Sequence, residues 1–131
     1  MKYYHQLVLP VLLMLAACQS TEQKEKVEDK LKAEKIKTEF VRSWNAYKTY
    51  AWGHDVLLPV SKSYMDWYEQ SLQISPIDAY STMKVMGLDR EAEEVQHYVV
   101  DSIDFEKDLF VKTFEVNIRI LGGLLAMYEF T

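Results

Sequence analysis

The stretch Thr113–Tyr128, TFEVNIRILGGLLAMY, sets two opposite charges inside an otherwise apolar helical pattern, and few folds can accommodate that conflict. At about 100° per residue, Val111, Phe114, Ile118, Leu121, Leu125 and Tyr128 share one face, while Val116, Ile120 and Met127 lie almost opposite. A helix apolar nearly all round is expected to be buried on every side. Yet Glu115 and Arg119 occupy one narrow strip, which continues into Gly122 and Ala126. Glu four residues before Arg is the favourable order for an ion pair, worth a few tenths of a kcal/mol when exposed. If the pair is buried, removing one partner costs roughly 3–5 kcal/mol. Two readings stand side by side. In one, the strip is a satisfied buried ion pair whose glycines admit a neighbouring helix. In the other, the carboxylate lines a polar cavity, Arg119 orients it or binds substrate, and Gly122 leaves room.

From its start, the chain reads as an export signal. Lys2 supplies positive charge and Leu7–Leu15 is an apolar run too short to span a bilayer. The run ends in Leu15, Ala16, Ala17 and Cys18, which is similar to a bacterial lipobox, so residues 1–17 are expected to be a lipoprotein signal peptide and Cys18 the lipidation site. Cys18 is the single cysteine of the chain and has no disulfide partner. Residues 18–39 are expected to be a charged tether, in which six acids and six lysines of 22–39 cancel. Together these features imply attachment to a membrane of the bacterial cell envelope through a lipid anchor.

From residue 40 the pattern changes. Phe40, Trp44, Tyr47 and Ala51 recur on one face of an amphipathic helix, which Gly53 can close and Pro59 keeps from resuming. His54 reads as a surface histidine and Asp55 as a capping residue. A short second helix is expected over Lys62–Gln73. Ser75, Pro76 and Asp78 then read as an N-cap, a first helical position and a first-turn acid. That helix runs to Gly87, and Asp89 starts another carrying Ala92, Val95 and Val99. Residues 101–108, DSIDFEKD, read as a charged loop. The expected fold class is all-α.

Residues 40–131 hold 14 acids against 8 bases, a net charge of −6. That excess argues against nucleic acid as a partner, and it is compatible with a neutral glycan.

Three stretches also resemble one known family. Phe114–Tyr128, FEVNIRILGGLLAMY, is similar to the FE-x-x-IR-x-LGGLL-x-AY signature of class I α-1,2-mannosidases, glycoside hydrolase family 47. Phe40–Ser61 resembles the family's W-x-x-Y-x-x-YAWG-x-D-x-L-x-P-x-S, and Ile77–Leu88 its VDSLDTL-x-IMGL. The resemblance implies that residues 40–131 are the N-terminal part of an α/α barrel of paired helices, incomplete in this chain. It implies a calcium-dependent, inverting enzyme that removes terminal α-1,2-linked mannose from mannose-containing oligosaccharides. Glu115 matches the glutamate taken as the catalytic acid, acting directly or through a water. Arg119 would hold that carboxylate or contact a sugar, and Asp78 matches one of the active-site acids. Ser81 replaces the motif's second Asp, a departure. The family's calcium-binding threonine has no match here, so no residue is assigned to metal. An alternative of another class is a non-enzymatic, membrane-tethered helical lipoprotein module for protein interaction.

Overall fold

In a computed structural model, the backbone is described over residues 4–131 and the side chains at 23 and from 26 onward. The side chains of Cys18 and of the signal-peptide stretch 1–17 therefore lie outside those described. The chain divides into two compact units, Met1–Val41 and Arg42–Thr131.

The first unit belongs to helix α1, Tyr4–Tyr50, whose last residues pass into the second. Within it, Lys32 pairs with Glu28 at 2.9 Å, the i,i+4 order that supports a solvated helix. Val27, Leu31 and Ile36 are exposed. No described helix is long and apolar enough to cross a membrane.

The second unit begins with the end of α1, where Trp44, Tyr47 and Ala51 are buried on the face the spacing predicts. Trp44 stacks on Tyr47 with ring centroids 5.2 Å apart, and Trp52 packs on Tyr98 at 4.4 Å. Gly53, at φ +84°, turns the chain after α1 and leads it into a hairpin. Strand β1, Val56–Leu58, pairs antiparallel with β2, Ser63–Met65, in the register Val56–Met65, Leu57–Tyr64 and Leu58–Ser63. The helix expected over Lys62–Gln73 does not exist. Lys62 takes a left-handed φ of 51°, β2 comes directly after it, and residues 66–73 are irregular.

The irregular segment is held by one buried carboxylate. Asp55 is fully buried, and its side chain accepts hydrogen bonds from the Trp67 amide at 2.9 Å, the Ser71 hydroxyl at 3.0 Å and the Ile74 amide at 3.3 Å. Its own amide donates to Asp66 at 2.9 Å, and its carbonyl accepts from the Ser75 hydroxyl at 2.5 Å. Asp55 thus caps a helix nineteen positions away, which corrects two local expectations. Helix α2 begins at Ile74, a residue ahead of Ser75, so Ser75 is no N-cap and Asp78 falls beyond the first turn. His54 is no plain surface residue either. Its ring stacks on Tyr64, its Nδ1 lies 2.9 Å from Asp66, and its carbonyl accepts the Tyr47 hydroxyl at 2.6 Å. Burial pushes the Tyr47 phenol far up, helped by Tyr98, Asp55 and Asp66.

Helix α2, Ile74–Val85, carries Ile77, Tyr80 and Met83 into the core, and α3, Asp89–Ser102, meets it with Ala92, Val95 and Val99. Residues 103–112 form a loop, tied down where the Lys112 amide donates to the Tyr68 hydroxyl at 3.0 Å. Then α4, Thr113–Glu115, runs through a π-helical segment, Val116–Leu121, into α5, Gly122–Glu129. The wider turn is visible where the Gly122 amide reaches back to the Asn117 carbonyl. Ile120 and Met127 of this composite helix are buried. Phe114, Ile118, Leu121, Leu125 and Tyr128 are exposed, so only one of its two apolar faces is covered in the second unit.

Packing of α5 on α2 requires Gly123. A Cβ there would lie 2.5 Å from Ile77 Cγ2 and 3.0 Å from the Ile77 carbonyl oxygen, whereas one at Gly122 would meet little beyond the Asn117 carbonyl at 3.5 Å. Of the two glycines, the second admits the neighbouring helix. Because the contact includes backbone and Ile77 is fully buried, Gly123→Ala is expected to destabilise the second unit by about 1–3 kcal/mol. Gly122→Ala is expected to be nearly neutral, and paired thermal melts compare them.

Asp66 gives a second expectation. Burial acts to raise its pKa, but the Asp55 amide, His54 and Ser71 outweigh it, and the carboxyl sits below its usual value of 3.8. A carboxyl so lowered stabilises the fold at every pH above the unfolded-chain value. That contribution is lost as the pH falls through the lower folded-state value. Asp66→Asn should therefore melt below the parent near neutrality, with the gap closing only below about pH 4. Melts from neutral to strongly acid solution check this.

Candidate functional site

The charged strip of the composite helix faces α2. Arg119 Nε donates to Glu115 at 2.9 Å, and Nη1 donates to Asp78 at 2.7 Å. The first bond comes from i,i+4 spacing; the second joins residues 41 positions apart and needs α5 seated on α2. All three residues proposed from the sequence thus meet in one constellation. Both carboxylates hold the guanidinium in its charged form and push the Arg119 pKa up, Glu115 first and then Asp78. Ser81 is one turn past Asp78 on the same helix, and the charge it lacks is not one of the two that grip Arg119.

The pair is not deeply buried. The side chains of Arg119, Asp78 and Glu115 remain 39%, 33% and 30% exposed. The cost of breaking it is accordingly on the order of 1 kcal/mol, as for solvent-screened pairs, and not the roughly 3–5 kcal/mol of a buried one. The reason is the open outer face of the helix, which leaves water beside the strip.

A third group completes the hold. The Arg119 guanidinium carbon lies 5.2 Å from the Trp67 ring centroid, within cation–π range. Beside it is a cleft of about 360 Å³ lined by Met65, Asp66, Trp67, Tyr68, Lys112 and Glu115. Glu115 therefore has one oxygen on Arg119 and also forms part of the cleft wall. Sequence reasoning missed Asp66, Trp67, Tyr68 and Lys112 as neighbours of the site. Residues 66–68 fall in the stretch expected to be helix, and nothing local in the sequence signals that Asp55 fixes their path. Gly122 continues the Glu115–Arg119 strip, and a Cβ there would meet only the Asn117 carbonyl of its own helix, at 3.5 Å.

The resemblance implies calcium. Among the described residues, no three or more His, Cys, Asp or Glu side chains converge to hold a metal ion. Asp78 and Glu115 are already engaged by Arg119. These residues do not fit a calcium cage.

Known proteins match over most of the chain. The sequence pattern of glycosyl hydrolase family 47 matches residues 39–131. The endoplasmic reticulum mannosyl-oligosaccharide 1,2-alpha-mannosidase of Homo sapiens is 47% identical over 90 residues, covering 69% of this chain and 13% of that protein. The protein of the same name from Schizosaccharomyces pombe is 38% identical over 95 residues, covering 72% of this chain and 18% of that one. The chain thus spans less than a fifth of the length of either relative. Among solved structures, an alpha-1,2-mannosidase from Trichoderma reesei superposes with a TM-score of 0.65 at 38% identity, over 73% of this chain and 20% of that one. The helices of the second unit are accordingly part of an α/α barrel, mainly helical as the periodicity predicts and interrupted by the one hairpin. With the family pattern matched over most of its length, and with Glu115, Arg119 and Asp78 gathered at one cleft, the chain belongs to glycosyl hydrolase family 47.

Proposed function

We propose that this chain contributes the acid side of a glycosidase site that removes terminal α-1,2-linked mannose from oligosaccharides with inversion. What carries the reading is that Arg119 grips Glu115 and Asp78 at a cleft that Glu115 itself lines. The names of the family-47 relatives supply the linkage and the sugar. Glu115 gives its proton to the glycosidic oxygen, directly or through a water, as the bond from C1 to that oxygen breaks. As that bond breaks, a water attacks C1 from the opposite face, and its proton passes to a second carboxylate acting as base. Arg119 keeps the Glu115 carboxyl aimed at the cleft, and Asp78 keeps Arg119 from turning away. Family membership displaces the alternative of a stand-alone interaction module. The calcium ion that the family resemblance implies would be held by ligands outside the described residues.

Anchoring is a separate part of the proposal. Cys18 carries lipid, residues 18–39 form the tether, and the domain is held on a membrane of a bacterial cell envelope. What supports it is the run Leu15, Ala16, Ala17, Cys18 after a short apolar stretch. Acyl insertion contributes about 0.8 kcal/mol per buried CH₂, so Cys18→Ala should release the protein from membranes. Fractionation with a high-salt wash is the measurement, and a variant that still pellets with membranes overturns the lipid reading.

The catalytic reading has its own test, made on a form of the protein that releases mannose from an α-1,2-linked mannobiose. Glu115→Gln keeps the shape and the acceptor for Arg119 but removes the transferable proton. Turnover is expected to fall by at least about 10²-fold with the melting temperature close to the parent's. Arg119→Ala is expected to lose turnover as well, with a stability loss on the order of 1 kcal/mol. Near-parent turnover in Glu115→Gln would sink the assignment.

A further inference from the structure

We infer that Asp55 is a positioning residue for the constellation around Arg119, acting through the two segments its carboxylate grips. Asp55 is fully buried, and all three donors described on its side chain are neutral. A buried carboxylate with no cation partner is costly to desolvate, so some property of the charge-bearing group has to justify it. That property is its pair of equivalent acceptor oxygens. Oδ2 takes the Trp67 amide, and Oδ1 takes both the Ser71 hydroxyl and the Ile74 amide. Asparagine has the same shape but one acceptor oxygen, and its NH₂ would face an N–H wherever the oxygen does not. A neutral amide can therefore hold one segment or the other. Only the carboxylate holds both.

The two segments lead to the same place. Trp67 presents the ring against which the Arg119 guanidinium lies, at 5.2 Å. Ile74 opens α2, and one turn further on that helix Asp78 accepts from Arg119 Nη1 at 2.7 Å. So the cation–π partner and one of the two carboxylate partners of Arg119 are placed by opposite oxygens of one buried side chain. Only Glu115 comes from Arg119's own helix. The consequence for catalysis rests on the role proposed for Glu115, but the consequence for Arg119's surroundings does not.

The test therefore reads Arg119 directly, in the whole chain, by the Nε–H signal of ¹⁵N-labelled arginine. Arg42, Arg90 and Arg119 are the arginines present, and Arg119→Lys identifies the signal. In Asp55→Asn, helicity by circular dichroism is expected to persist while the Arg119 Nε–H loses its ring-shifted position. Its exchange with solvent should quicken by at least about tenfold, the scale of one charge-assisted hydrogen bond. Val95→Ala, in the core on α3, serves as a destabilising control expected to leave that signal in place. An Asp55→Asn chain whose melting temperature drops while its Arg119 signal stays with that of Val95→Ala overturns the inference and leaves Asp55 a purely structural residue. Should Asp55→Asn not fold, Asp55→Glu keeps both acceptor oxygens but carries them one methylene further from the backbone, away from where the Trp67 and Ile74 amides donate. A displaced Arg119 signal there supports the inference, and an unmoved one in the folded variant overturns it. Mannose release is read separately, on the form of the protein that turns over: a displaced signal with parent-level turnover keeps Asp55 as the positioner and removes only the placement of Arg119 from what catalysis requires, leaving Glu115 to its own variant.

Discussion

The second unit depends on a buried carboxylate that has no counter-ion among its described partners. Asp55 sits just before the hairpin and collects hydrogen bonds from residues 67, 71 and 74, so a segment with no regular structure acquires a fixed path. Buried polar groups persist only when their hydrogen bonds are made, and here the Asp55 carboxylate is satisfied by donors at residues 67, 71 and 74. The amide of Ile74 is one of the free N–H groups at the start of α2. Its partner comes from across the fold because Gln73, at the helix start in a left-handed conformation, provides no side-chain cap. One residue thereby ties the open end of the hairpin, starts a helix and aims the aromatic ring that flanks the site.

The composite C-terminal helix shows how a strongly apolar element can carry charge. Its buried face, Ile120 and Met127, lies against α2, and Gly123 allows the two backbones close approach. Glu115 and Arg119 lie at the edge of that contact, partly exposed, where the guanidinium meets both carboxylates and the Trp67 ring. The second apolar face stays exposed in this unit. The chain matches only 20% of the solved family structure it superposes on, so a helix apolar on two faces suits an element of a larger helical assembly.

Charge placement around the cleft is economical. Asp78 and Glu115 both bind Arg119, while Asp66 is engaged by the Asp55 amide and His54. Each of these carboxylates therefore has a specific partner, and the aromatic rings of Trp67 and Tyr68 supply the apolar part of the wall. A polar corner beside aromatic faces suits a sugar, whose ring presents hydroxyl edges and C–H faces.

Much of this is legible in the residues, for a physical reason that also sets the limit. Helical period places Trp44, Tyr47 and Ala51 on one buried face and Ala92, Val95 and Val99 on another, because side chains three or four apart are neighbours whatever the rest of the chain does. The same local rule pairs Glu115 with Arg119. Strand pairing carries no such local guarantee: the exposed β2 shows no alternation between a buried and an open face, and so Lys62–Gln73 reads as helix until the hairpin is seen. The grip of Asp78 on Arg119, the anchoring by Asp55, the stacking of Trp67 and the choice of Gly123 over Gly122 each join segments far apart in sequence. Spacing within one element determined which residues could share a face. Only the packing of α5 on α2, with Asp55 fixing the segment between the hairpin and α2, decided which of those faces meet, because a contact between distant segments depends on the positions of two backbones that neither sequence specifies alone.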